Sequence, residues 1–185
     1  MLHILHQIAR TGIKTETAPS PAEEMVVVAR LQKEILRTLG RALTIRHIDA
    51  GSCNGCELEI QALANPYYNL EGMGIRFVAS PRHADMLLVT GPVSKHLAIA
   101  LKRTYDATPE PKLVVAVGDC GCTGGIFGQS YASLGGVGSV IPVDVAIPGC
   151  PPAPRALLQG ILEAITAHAP PAAPELAAAQ SSDTP

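Results

Sequence analysis

Cysteine is the residue type with the most chemistry to offer in this chain of 185 residues, which contains five. Cys53 and Cys56 form a CxxC pair in GSCNGC, Cys120 sits in GDCGCTGG and Cys150 in PGCPP. Each of these three segments follows an apolar run that reads as a strand. In an open α/β sheet ligands collect at the carboxyl ends of the strands, so the loops are expected to converge although the sequence separates them widely. Four thiolates at one edge can bind an iron–sulfur cluster or a zinc ion, and spacing alone leaves both open. Gly51, Gly55, Gly118, Gly121, Gly124, Gly125 and Gly149 permit close backbone approach and supply amides able to hydrogen-bond cluster sulfur. Pro151 directly after Cys150 matches the Cys-Pro ending common at iron–sulfur ligands.

Cys122 reads as a small buried hydrophobe, the usual fate of a lone cysteine. A thioredoxin-like redox pair is the competing use of Cys53 and Cys56, and it leaves Cys120 and Cys150 unexplained. No basic n-region, apolar h-region or twin arginine opens the sequence, so a cytoplasmic setting is expected. In a reducing compartment an odd set of cysteines points to metal ligands or reactive thiols rather than disulfides.

The remaining motifs are weaker. GDCGCTGG has no lysine where a phosphate-binding loop needs one, and Gly135-Gly136-Val137-Gly138 does not form a dinucleotide fingerprint after a strand, so nucleotide binding is rejected. Glu57 and Glu59 resemble an acid–base pair, yet carboxylates opening a helix ordinarily serve as dipole partners or solvated groups. Glu59 keeps a functional interest because it lies three residues past Cys56. In SPRHAD, Asp85 is a candidate to cap or pair with Arg82, and the sharper alternative for Arg82 and Asp85 is a contact to a partner subunit. His83 and His96 read as surface or hydrogen-bonded residues.

The elements that must position the cysteines follow from periodicity. Leu2, Leu5, Ile8 and Ala9 share one face of a short helix, and TETAPSP from Thr15 to Pro21 reads as a linker. Ser20 as cap, Pro21 in the first turn and Glu23 at capping-box spacing start a second helix. Its stripe of Val28, Leu31, Ile35 and Leu39 ends at Gly40 and needs a partner surface. Short apolar runs then alternate with helical stretches: Leu43–Ile48, a helix from Glu57, Ile75–Ala79, Met86–Thr90, a helix over Ser94–Tyr105, Leu113–Val117, Val140–Ile147, and a helix from Pro154 to about His168. That alternation predicts an α/β fold with a largely parallel sheet. Three regions are expected: a helical extension (1–41), an iron–sulfur α/β domain (42–168) and a disordered Ala/Pro-rich tail (169–185).

Composition bounds the function. Apolar residues make up 47% and charged residues 16%, which excludes a disordered chain, and the core must be aliphatic because there are only two Phe and no Trp. No uncharged apolar run approaches the ~18 residues that span a bilayer. A formal charge of −2 without Lys/Arg blocks disfavours nucleic acid. The low charged fraction suggests that much of the surface faces another protein.

The blocks GSCNGCELEI, SPRHADMLLVTG, GDCGCTGGIFG and IPVDVAIPGCPPAPRALLQGI, in that order, resemble the small subunit of membrane-bound nickel–iron hydrogenases of the formate hydrogenlyase and energy-converting type. They also resemble the homologous 20 kDa subunit of respiratory complex I. The resemblance covers roughly Leu43 to Ile165. It implies a flavodoxin-like domain holding one 4Fe-4S cluster at the carboxyl ends of the strands, with Cys53, Cys56, Cys120 and Cys150 as ligands and Glu59 on the family's acidic position. Cys122 stands where relatives commonly carry a polar non-ligand. The complex I subunit typically has adjacent cysteines in its first motif, whereas hydrogenase small subunits have CxxC, so the hydrogenase branch is favoured.

The resemblance implies an electron-transfer subunit without catalysis of its own. Its implied partners are a nickel–iron large subunit and a ferredoxin-like iron–sulfur subunit, with membrane subunits reached through the complex. A peripheral position on the cytoplasmic face of the inner membrane is expected. The rivals are a complex I-like subunit passing electrons to quinone and a zinc-binding structural subunit.

Overall fold

The computed structural model describes residues 2–12 and 21–167. Ser20, the linker up to it and the tail from Ala169 lie outside the described residues. Two helices come first, α1 (Leu2–Thr11) and α2 (Pro21–Leu39). Five strands follow: β1 (Leu43–Asp49), β2 (Ile75–Phe77), β3 (Met86–Thr90), β4 (Leu113–Val117) and β5 (Val145–Ile147). Between and after them lie α3 (Gly55–Ala62), α4 (Ala98–Ala107), α5 (Gly118–Thr123) and α6 (Pro154–Ala167).

The strands form one all-parallel sheet in the order β2-β1-β3-β4-β5. This is the flavodoxin-like order, in which the chain reverses its winding between β1 and β3. Parallel strands are covered on both faces, which explains why MLLVT and LVVAV read as continuous aliphatic runs; every residue of β3 is buried. On one face Ile45, Met86, Leu88, Val115 and Val117 pack with Leu157 and Ile161 of α6 and Leu31 and Ile35 of α2. On the other, Leu87, Val89, Val114 and Ala116 pack with Leu101 of α4, Val137 and Ile141.

Besides shifted element ends, with β2 stopping at Phe77 rather than Ala79 and α4 starting at Ala98 rather than Ser94, three details go beyond the sequence expectations. The α2 stripe finds its partner inside the chain, because Leu31 and Ile35 are buried in the core and α2 packs on α6. The strand expected over Val140–Ile147 is shortened to Val145–Ile147, since Pro142 lacks the N–H that a ladder requires while Ile141 fills the core instead. The glycine-rich GDCGCT forms a helical turn. It is entered through Gly118 at φ +80° and left through Gly124 at φ +95°, backbone values that glycine adopts without strain. Among the described residues no helix is long and apolar enough to cross a membrane.

Candidate metal centre

The three cysteine segments leave the sheet at the carboxyl ends of β1, β4 and β5, so parallel topology delivers them to one edge. After β1 the chain turns sharply. Asp49 Oδ1 accepts hydrogen bonds from the amides of Gly51 and Ser52 at 2.7 and 2.8 Å. Asn54 takes a left-handed conformation, φ 73°, which its short polar side chain tolerates. Cys56 then falls in the first turn of α3.

Two glycines shape the space around the sulfurs. A Cβ on Gly118 would lie 2.7 Å from Cys56 Sγ, and one on Gly125 would lie 2.8 Å from Cys120 Sγ. Any larger residue would occupy the room these thiols use. The Cys120 and Cys150 segments are joined by reciprocal bonds between Asp119 and Gly149.

Electrostatics report the same proximity. Burial pushes the Cys56 thiol up to about 11, and Glu57, Cys53, Cys120 and Cys150 add to the shift in that order. Burial also raises Cys120, reinforced by Cys150, Cys53 and Asp119. Ionised together at this edge the thiols would repel one another, a repulsion that a bound cationic metal group would relieve. Burial and then Asp119 raise Cys122, with no contribution from the other four cysteines, and its Sγ contacts the Ala116 carbonyl at 3.8 Å. The loops carrying Cys53, Cys56, Cys120 and Cys150 thus share one edge of the sheet, and Cys122 turns back toward β4. Cys53 and Cys150 are exposed, which puts the thiol edge at the surface.

Among the described residues no three His, Cys, Asp or Glu side chains converge on a point as ligands of a single ion. The chemistry of the donor set, four thiols beside glycine-lined space, fits an iron–sulfur group, which Cys53, Cys56, Cys120 and Cys150 would hold.

Arg82, His83 and Asp85 lie away from this edge, whereas Glu59 stands one turn past Cys56 on α3. Arg82 and His83 are exposed on a short 3-10 turn before β3. The expected pairing of Asp85 with Arg82 is replaced by one with Arg41, whose guanidinium donates to Asp85 at 2.5 and 3.1 Å. The Thr44 amide and hydroxyl also donate to Asp85, at 3.0 and 2.7 Å. Because Asp85 precedes the first residue of β3, it stands at the amino edge of the parallel sheet, away from the cysteines. Glu59 is half-buried on α3, and two positions along a helix from Glu57 it does not face that residue.

Glu57, which reads from sequence as a dipole partner or solvated group, is only 5% exposed. Its Oε1 accepts from the hydroxyls of Ser52, at 2.6 Å, and Thr90. His47 Nε2 lies 3.0 Å from Thr90 Oγ1 and 3.8 Å from Glu57 Oε1, and burial lowers its pKa. No periodic signal in the sequence distinguishes this buried carboxylate from its neighbours on α3.

A rim of exposed apolar side chains borders the thiol edge. Ile126 and Phe127, immediately after Gly125, are 94% and 53% exposed, and Tyr131 is 93% exposed. Apolar surface this open beside polar loops is characteristic of a protein–protein contact.

Comparison with known proteins agrees with this architecture. Residues 53–164 match the family described as NADH ubiquinone oxidoreductase, 20 Kd subunit. A probable membrane-bound hydrogenase subunit of Pyrococcus furiosus is 45% identical over 139 residues, which span 74% of this chain and 83% of that one. An NADH-quinone oxidoreductase subunit from Desulfovibrio desulfuricans is 48% identical over 124 residues, 66% of each chain. Among solved structures, a chain of the membrane-bound sulfane sulfur reductase, an archaeal respiratory membrane complex, superposes with a TM-score of 0.60 at 34% identity, covering 79% of this chain and 77% of that one.

Proposed function

This chain belongs to the NADH ubiquinone oxidoreductase 20 Kd subunit family, and from that premise we propose that it is the iron–sulfur electron-transfer subunit of a membrane-associated nickel–iron hydrogenase complex. In this reading Cys53, Cys56, Cys120 and Cys150 hold one 4Fe-4S cluster. The observation that supports it is that the loops after β1, β4 and β5 bring these cysteines to one sheet edge, where Cys56 Sγ lies against Gly118 and the Cys120 and Cys150 segments are bonded through Asp119 and Gly149, while Cys122 Sγ turns to the Ala116 carbonyl. Once bound, such a cluster supplies one-electron transfer.

The chain's own residues ligate, shield and dock. Four thiolates supply negative charge, glycine amides of the surrounding loops are available to sulfur, and the Ile126–Phe127 rim offers apolar surface to the nickel–iron large subunit. A ferredoxin-like subunit is the second electron partner, and membrane subunits are reached through the complex. The chain sits peripherally on the cytoplasmic face of the inner membrane and performs no bond chemistry alone. Single-ion zinc binding by the same four thiolates is the structural rival, and metal content distinguishes it.

Anaerobic purification of the complex tests the reading: brown protein with about four irons and labile sulfide per chain is expected, with nickel in the co-purifying large subunit. Colourless protein with one zinc would overturn it. The 48% identity to a subunit of an NADH-quinone oxidoreductase supports a second reading, electron delivery to quinone. A large subunit that lacks nickel while the complex reduces quinone would select that reading.

A further inference from the structure

Glu57 is almost fully buried in the first turn of α3, directly after Cys56, and lines a cleft of about 540 Å³ with His47, Ile60 and Phe77. One carboxylate oxygen, Oε1, accepts two hydroxyls, from Ser52 at 2.6 Å and from Thr90 at the end of β3. The other, Oε2, is buried with no hydrogen-bond partner among the described residues. Ser52 Oγ accepts in turn from the Asn54 amide at 3.1 Å, inside the CxxC segment.

A buried carboxylate with only half of its acceptor capacity used is costly, so its retention needs a compensating role. The network ties the Cys53–Cys56 turn to the central strand through a single oxygen. It also sets a negative group beside Cys56 where burial weakens solvent screening.

Resting on the iron–sulfur reading above, we propose that Glu57 is a positioning residue of the cluster site, pinning the Cys53–Cys56 turn through Ser52 and Thr90 and holding the bound cluster at a lower reduction potential by its charge. Glu57→Gln keeps the shape and removes the charge. Glu57→Asp keeps the charge and shortens the reach.

The experiment is an EPR-monitored redox titration of the anaerobically purified complex carrying the unaltered chain, E57Q or E57D, with iron counted in each. The expected result is full iron in E57Q with the midpoint raised by roughly 60 mV, a tenfold change in the reduced-to-oxidised ratio for one electron, and E57D closer to the unaltered chain. Iron lost from E57Q but retained in E57D also supports the proposal, because only the carboxylate distinguishes the first variant from the native residue. An unchanged midpoint and EPR signal in an iron-replete E57Q overturns it. Loss of iron from both variants overturns it in favour of simple packing. Unaltered complex without iron in this chain would instead bring down the cluster reading itself.

Discussion

Asp119 and Gly149, each one residue before a gathered cysteine, exchange two hydrogen bonds. The Gly149 amide donates to Asp119 Oδ1 at 2.8 Å, and the Asp119 amide donates to the Gly149 carbonyl at 2.9 Å. The segments after β4 and β5 are thereby locked in register just before Cys120 and Cys150. Loops tied together in this way would limit the ordering that binding of the proposed cluster requires.

Asp119→Ala removes one of these bonds and strands the Gly149 amide. A loss of ~1 kcal/mol in stability is expected, small because the bond is exposed to solvent. Iron content per chain should fall much further than the thermal midpoint suggests, whereas Asp119→Asn, which keeps an Oδ1 acceptor, should retain most of it. Equal iron in the Ala variant and the unaltered chain would show that the lock is dispensable.

Replacement of Cys53, Cys56, Cys120 or Cys150 by Ala should abolish the cluster's absorbance and electron transfer while far-ultraviolet circular dichroism stays near that of the unaltered chain. Cys122→Ala should leave the cluster intact, since that thiol contacts the Ala116 carbonyl. Persistence of the cluster in Cys120→Ala with loss in Cys122→Ala would reverse the assignment.

Gly118→Ala introduces a Cβ 2.7 Å from Cys56 Sγ on a backbone at φ +80°. The conformational cost is ~1–2 kcal/mol, and the displaced thiol should reduce iron incorporation several-fold. Gly138→Ala is the matched control, because a Cβ there meets nothing within 4 Å. Iron analysis of both variants after anaerobic purification measures the difference.

The Ile126–Phe127 rim should matter to assembly and little to folding. Changing both to Ser removes exposed apolar surface, so the stability change should stay within ~0.5 kcal/mol. Co-purification of the large subunit should drop sharply. Undiminished recovery of the complex would place the docking surface elsewhere.

Lys112 offers a test of the fold remote from the thiols. Its ammonium, with the side chain 8% exposed, donates to the carbonyls of Tyr105 and Thr108 at 2.9 and 3.1 Å, pairs with Glu110 at 3.2 Å and lies 4.0 Å from the Tyr105 ring centre. It thereby closes the end of α4 ahead of β4. Lys112→Met should lower stability by ~1–3 kcal/mol, read as a lower thermal midpoint with iron content unchanged.

Strand alternation and cysteine placement were legible without coordinates. The β3 and β4 runs are aliphatic throughout because a parallel sheet buries both faces, and parallel strands necessarily present their following loops at one edge. Hence the loops carrying Cys53, Cys56, Cys120 and Cys150 could be placed at one edge from sequence, and the blocks around them carried the family resemblance. These features depend on local pattern and chain direction, which a linear sequence records.

What only the tertiary structure decided were relationships that depend on which segments meet. The α2 stripe needed a partner, and only packing identified it as α6 rather than another protein. Asp85 lies three residues from Arg82 in sequence but binds Arg41 and Thr44, brought near by the pairing of β1 with β3. Glu57 looked like any carboxylate at a helix start. It is buried because the turn after β1 and the end of β3 close over it with Ser52 and Thr90, a convergence produced by strand pairing and invisible to periodicity.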